Sequence, residues 1–312
     1  MKNNLLIAIG LTLPPVFASA APAERAVWTW EKESYAMVES SAAADDAINF
    51  LQSKQIRTLY LYADAFEGRN LMETRPRLYR QFISSLHRHG LRAYALLGSA
   101  YLHTEEYVLP EHRQDALAMF RRVLVYNASA KPEERFDGVN LDIEPHILDQ
   151  WATRKNQLLL QFLDLGQALM ELKKKSGQLL AVGPAIPFWL DGIKLKWNGQ
   201  NKPVSEHAQD IYDYVALMDY RDHAGGGDGI IAHAMDEMKY AGRSNRKVVV
   251  GVEVTPNELQ KVSFNHLSGP DMERELALTE KAFLGEPAFA GFAIHHYRGY
   301  RVWLEDKERP KN

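Results

Sequence analysis

The apolar positions of this chain change rhythm in a repeated order. Eight short runs rich in β-branched and aromatic residues fall at 26–30, 58–63, 92–98, 138–144, 179–187, 214–220, 247–254 and 291–297. Runs of that length and content predict strands. Between them apolar residues recur at helical spacing, which predicts helices over 42–54, 76–89, 115–126, 151–175, 230–240 and 272–284. The longest closes on Lys173-Lys174-Lys175 before Gly177, placing cations at the negative end of the helix dipole and a glycine cap behind them. The stretch 189–206, with Gly192, Gly199 and Pro203, reads as a long loop, followed by a short helix near Ile211.

Near-continuously apolar strands that alternate with helices imply a parallel sheet covered on both faces. Eight such units predict one α/β domain over 21–312, a closed (β/α)8 TIM barrel. An open doubly wound sheet is the alternative, but no Gly-rich nucleotide turn follows the first strand.

Composition narrows the setting. Lys2, the apolar run 5–13 and Ala18-Ser19-Ala20 form the pattern of an export signal over 1–20. The run is shorter than the roughly 20 residues that span a bilayer, although an uncleaved anchor is the competing reading. The expected location is therefore periplasmic or extracellular, without membrane attachment after cleavage. The chain has no cysteine, which excludes disulfides, a thiol nucleophile and cysteine-bound zinc. Its 37 basic and 40 acidic residues give a net charge of −3, and no basic stripe stands out. Nucleic acid is not an expected partner.

In barrels of this kind the chemistry sits at the C-terminal ends of the strands. Strand four is the most informative. Side chains alternate, so Val139, Leu141 and Ile143 share one face, and Asn140, Asp142 and Glu144 share the other. The polar set should line the lumen. Adjacent carboxylates repel, which raises one pKa and keeps that group protonated near neutrality, the state a general acid needs. The competing reading is a buried acidic pair that only braces neighbouring strands.

The segment Asp137-Gly138-Val139-Asn140-Leu141-Asp142-Ile143-Glu144 resembles the D-G-x-D-x-D-x-E signature of family 18 glycoside hydrolases, the chitinases and their relatives. The resemblance implies Glu144 as acid/base and Asp142 as the group that orients a substrate 2-acetamido group, itself the nucleophile. The third-from-last acidic position is Asn140 here. Met218-Asp219-Tyr220 on strand six resembles the family's M-x-Y, whose Tyr hydrogen-bonds the acetamido oxygen. The run 247–252 is similar to the family's seventh strand. The family's lumenal Trp on the last strand is replaced by the run from Gly291 to His295, His296 and Tyr297.

Glu253 at the end of strand seven opens an alternative. With Glu144 it forms the pair used by retaining glycosidases, Glu144 as acid/base and Glu253 as nucleophile, which requires carboxyls roughly 5–5.5 Å apart. A lumenal Arg such as Arg221 or Arg298 could instead pair with Glu253. Aromatic rings suit a carbohydrate partner, since they stack on the apolar faces of sugars. Trp189 and Tyr220 are the expected contacts, with Asn140, Met218, His295 and Tyr297 as further substrate-facing residues. His295 and His296 should point to opposite faces.

With Asp142, Glu144, Asp219, Asp222 and His223 those histidines also raise a metal site, but no H-x-H or H-E-x-x-H spacing occurs among them. No metal and no cofactor is expected. Gly225 to Gly229 reads as a mobile loop with Asp228 as the helix N-cap, lacking the Lys-Ser/Thr of a nucleotide loop. The reading that gathers most of these features is a secreted hydrolase of a β-linked glycan containing N-acetylhexosamine. A non-catalytic glycan-binding barrel is the alternative from another class.

Overall fold

Period-two alternation decides which side chains enter the barrel and which meet the helices. The computed structural model describes residues 22–308. Its strands are β1 (Arg25–Thr29), β2 (Thr58–Tyr62), β3 (Arg92–Leu97), β4 (Gly138–Leu141), β5 (Ala181–Pro187), β6 (Tyr214–Met218), β7 (Lys247–Glu253) and β8 (Phe289–His295). They pair in parallel, in chain order, and β8 closes on β1 through Ala26–Ala293 and Val27–Ile294. The architecture is a (β/α)8 barrel. The export-signal pattern lies outside the described residues, among which no helix is long and apolar enough to cross a membrane.

Two cores follow from the alternation. Val27, Leu59, Leu61, Val139, Leu141 and Val215 face outward and pack with the helices. Trp28, Tyr60, Tyr94 and Tyr214 fill the lumen, with ring centroids 5.2 to 6.0 Å apart along the series. A cavity of about 380 Å³ opens at the N-terminal mouth beside these tyrosines; none of Asn140, Asp142 or Glu144 lines it.

All six expected helices form, with ends moved by a few residues. Trp151–Ser176 is the longest, capped by Gly177 at φ +69°. Three segments differ from expectation. The supposed loop after β5 contains an antiparallel hairpin, Lys194–Trp197 with Gln200–Pro203, that leads directly into the helix Val204–Ile211. A helix not foreseen, Glu31–Glu39, follows β1 after a single residue. Strand eight stops at His295, and Tyr297 begins the helix Tyr297–Glu308.

Between Val204–Ile211 and Ile230–Ser244 lies an unusual buried acid. Glu237 is 1 % exposed, and neither carboxyl oxygen has a hydrogen-bond partner among the described residues. Burial, then the charge of Asp191, raises its pKa from 4.5 to about 8. The folded state thus holds a proton that the unfolded chain releases, and stability falls as pH rises through that window. Glu237→Gln is expected to leave stability unchanged below the window. Above it the variant should gain up to about 5 kcal/mol. Urea melts at the two pH limits check this, and equal differences at both contradict it.

Candidate active site

Strand four builds the site from its lumenal face. Asn140 is fully buried and saturated. Its Oδ1 accepts from Trp28 Nε1 at 2.8 Å, and its Nδ2 donates to the Gly183 carbonyl and the Tyr214 hydroxyl, each at 3.3 Å. The Tyr214 hydroxyl donates in turn to the Val139 carbonyl at 3.0 Å. An amide serves all of these partners at once, because it offers an acceptor to the indole and donors to the two oxygens. Asn140 therefore belongs to the lumenal core beneath the site and has no free edge for a substrate.

The next two lumenal positions are different. Asp142 is 7 % exposed, and no protein donor among the described residues hydrogen-bonds its carboxyl. The main chain there is pinned: its amide donates to the Leu97 carbonyl at 2.7 Å, and Gly98 packs directly on its backbone. Burial pushes the Asp142 carboxyl well above its ordinary range, and the charges of Glu144 and Glu31 push the same way. Glu144 follows as β4 gives way to the turn Pro145–Ile147. Burial also raises its pKa, His295 opposes the shift and Glu105 adds to it. The nearest partner of Glu144 is His146, with Nε2 at 3.2 Å from Oε2. Burial lowers the His146 pKa to about 4, so the imidazole is neutral at pH 7 and does not strip the proton from Glu144.

Tyr220 completes the group from just beyond β6. Burial, then the charges of Glu253, Glu144 and Asp142, raise its pKa well above 10, which keeps the phenol as a donor. Its ring lies 5.8 Å from that of His295. Met218 lies half-buried at the end of the same strand.

Glu253 is held in another manner. Its Oε1 accepts from the amides of Val254 and Thr255, both at 2.7 Å, and from the Thr255 hydroxyl at 2.8 Å. Its Oε2 lies 2.7 Å from His295 Nδ1, across the last register pair of β7 and β8. Burial works against its ionisation, but His295 and the Thr255 donors outweigh burial and hold the pKa below its ordinary value. The partner is thus a histidine from the adjacent strand. The arginines proposed for it go elsewhere: Arg221 to Asp228 at 2.8 Å and Arg298 to Glu33 at 3.5 Å. His295 also meets the rings of Trp30, Tyr220 and Trp28, at 5.6, 5.8 and 6.2 Å.

Trp189 stands beside the acid. Its ring lies 5.4 Å from that of His146 at 90° and 5.9 Å from Trp151, and these residues line one small cavity with Glu144. Tyr297 stands apart. Its hydroxyl accepts from Arg301 at 2.7 Å and its ring packs on Phe50, in the helical layer outside the barrel. The chain has already left the strand at this position, which explains the misplacement.

The residues considered as metal ligands are dispersed. Asp219 pairs with His233 at 3.1 Å, while Asp222 pairs with His223 and His266. Among the described residues no group of three or more such side chains is arranged to hold a metal ion. Asp228 does not cap the helix at Ile230. Its carboxylate takes Arg221, Lys261 and His233, and Gly229 occupies the cap position without a side-chain bond.

Sequence reasoning missed Glu31, Glu105 and His146. His146 follows the acid by two residues and was within reach of the motif. Glu31 opens the helix after β1 and Glu105 lies in the turn after β3, and neither carries a local signal.

Solved structures alike in fold are glycoside hydrolases at low identity. An exo-β-1,4-mannosidase from Opitutaceae bacterium strain TAV5 superposes with a TM-score of 0.56 and 12 % identity, covering 88 % of this chain and 52 % of that one. A chitinase from Chromobacterium violaceum gives 0.47 and 13 %, covering 93 % and 100 %. A class V chitinase from Nicotiana tobaccum gives 0.47 and 14 %, covering 90 % and 96 %. No protein-family model and no curated protein matches the chain.

Proposed function

We propose that this barrel is a glycoside hydrolase for a β-linked glycan containing N-acetylhexosamine, with Glu144 as general acid and then general base. The observation that carries this reading is a contrast in hydrogen bonding. Asp142 and Tyr220 have no side-chain hydrogen bond to protein among the described residues, and Glu144 faces the neutral His146 at 3.2 Å, whereas Glu253 has four donors on its two oxygens. Groups left unsatisfied at a buried site are costly unless a ligand completes them. An acetamido group supplies both complements: its N–H for Asp142 and its carbonyl oxygen for the Tyr220 hydroxyl.

In this mechanism Glu144 protonates the leaving glycosidic oxygen while the acetamido oxygen attacks the anomeric carbon. Asp142 accepts the acetamide N–H through a carboxyl oxygen and so holds the acetamide in line for attack. The deprotonated Glu144 then takes a proton from the incoming water, and the ring formed by the acetamide reopens. No enzyme carboxylate has to attack. A Glu253 nucleophile attacking through Oε2 would compete with its bond to His295, and one attacking through Oε1 with three donors. Trp189, beside His146 and Glu144, is suited to stack on a neighbouring sugar face.

A 2-deoxy-2-fluoro glycoside, which traps covalent glycosyl-enzymes, separates the mechanisms. Intact-mass spectrometry is expected to show no adduct after prolonged incubation. An adduct mapped to Glu253 contradicts the substrate-assisted mechanism and favours the retaining pair. Tight glycan binding with no cleavage by the wild type would instead favour the non-catalytic barrel.

A further inference from the structure

The proposed mechanism requires Glu144 to carry a proton before substrate arrives, so the groups that face it matter. His295 lies at the end of β8, Tyr220 just beyond β6, Asp142 two residues before Glu144, and His146 in the turn that follows it, with Nε2 at 3.2 Å. His295 favours ionisation of Glu144, and the neutral His146 and Tyr220 bring no charge. Asp142, pushed upward itself, favours holding its own proton. The remaining group is Glu105, from the loop after β3.

That loop is built to hold its place. Gly98 turns the chain at φ +101° against the Asp142 backbone. The Ser99 amide donates to the Thr104 hydroxyl at 2.6 Å, and the Thr104 amide returns to the Ser99 carbonyl at 3.2 Å, closing the loop on itself. The turn Thr104–Val108 then packs against Pro145–Ile147, the turn that directly follows Glu144. Glu105 is 8 % exposed in this seam. Its Oε1 lies 3.2 Å from Nδ1 of the exposed His103, and its Oε2 is buried with no hydrogen-bond partner among the described residues. A buried carboxyl oxygen without a partner costs stability.

We propose that Glu105 is a positioning residue for the hydrolytic reaction: a buried carboxylate, clamped beside the acid by the β3 loop, that keeps the proton on Glu144 until the glycosidic oxygen arrives. It touches no reacting atom and acts through Glu144 alone. This rests on the reading of Glu144 as the acid. The sign follows from like charge: whenever Glu105 carries its charge it disfavours a second negative charge nearby, which an amide at that position does not.

The test follows Glu144 itself in protein labelled with ¹³C at glutamate carboxyls, its signal assigned by its loss in Glu144→Gln. In Glu105→Gln the Glu144 midpoint is expected to move to lower pH, while Glu105→Asp stays close to wild type. In the rate profile, the alkaline limb should move with it. Activity on that limb should fall about 10-fold for each unit moved, with activity on the acid side unchanged. An unmoved midpoint in folded Glu105→Gln overturns the proposal, as does a midpoint that moves without the alkaline limb. If wild type hydrolyses no glycan, the reading of the site as a hydrolase fails, and the titration still decides whether Glu105 sets the proton on Glu144.

Discussion

Gly98→Ala is expected to destabilise the protein by about 3–5 kcal/mol, among the largest effects a single methyl group should have in this chain. Two costs combine. The residue sits at φ +101°, which side chains with a Cβ rarely adopt, and a Cβ there would lie 2.2 Å from the Asp142 carbonyl oxygen. That neighbour is backbone and cannot swing away, so the end of β4 has to shift. Any shift carries Asp142 and Glu144 with it, and misplacement of a catalytic group by about 1 Å can cost 10²-fold in rate. Gly177→Ala is the control, since Gly177 has a similar positive φ of +69° with no atom near the added carbon. Only the conformational cost of about 1 kcal/mol is expected there. Chemical denaturation of both variants decides the matter, and equal losses would show that the contact with Asp142 carries no weight.

The barrel and the shared face of Asn140, Asp142 and Glu144 were legible from strand parity. A shift of one residue in β4 would have sent Asp142 and Glu144 into the helical layer, where Val139, Leu141 and Ile143 now pack. Alternation therefore named the lumenal triad before any coordinates. Asn140 was placed on the right face but given the wrong company. Its partners Trp28, Gly183 and Tyr214 come from β1, β5 and β6, and no local pattern reports which strand ends meet.

The hairpin at 194–203 had a signal that composition masked. Asn198-Gly199 is a strong two-residue hairpin turn, and both residues adopt positive φ, +48° and +80°. Gly192, Gly199 and Pro203 together read as open loop. The pairing of His295 with Glu253 was also within reach, because adjacent parallel strands of similar length align their ends. Glu105 was not, since its position depends on how the loop after β3 folds back on β4.

Glu144→Gln is expected to have the largest effect on function, a loss of about 10³-fold or more in hydrolysis. The amide keeps the size and shape of the acid but cannot give a proton to the leaving oxygen or take one from water. Both halves of the reaction lose their catalyst. Binding should survive, because Asp142, Tyr220 and Trp189 keep their positions and the neighbouring His146 is already neutral. The decisive measurement sets wild type beside Glu144→Gln on oligomers of β-linked N-acetylhexosamine, following product by chromatography and affinity by calorimetry. Cleavage by wild type, with undiminished binding and no cleavage by the variant, is the predicted result. Equal cleavage by both proteins would contradict the assignment of Glu144 as the acid.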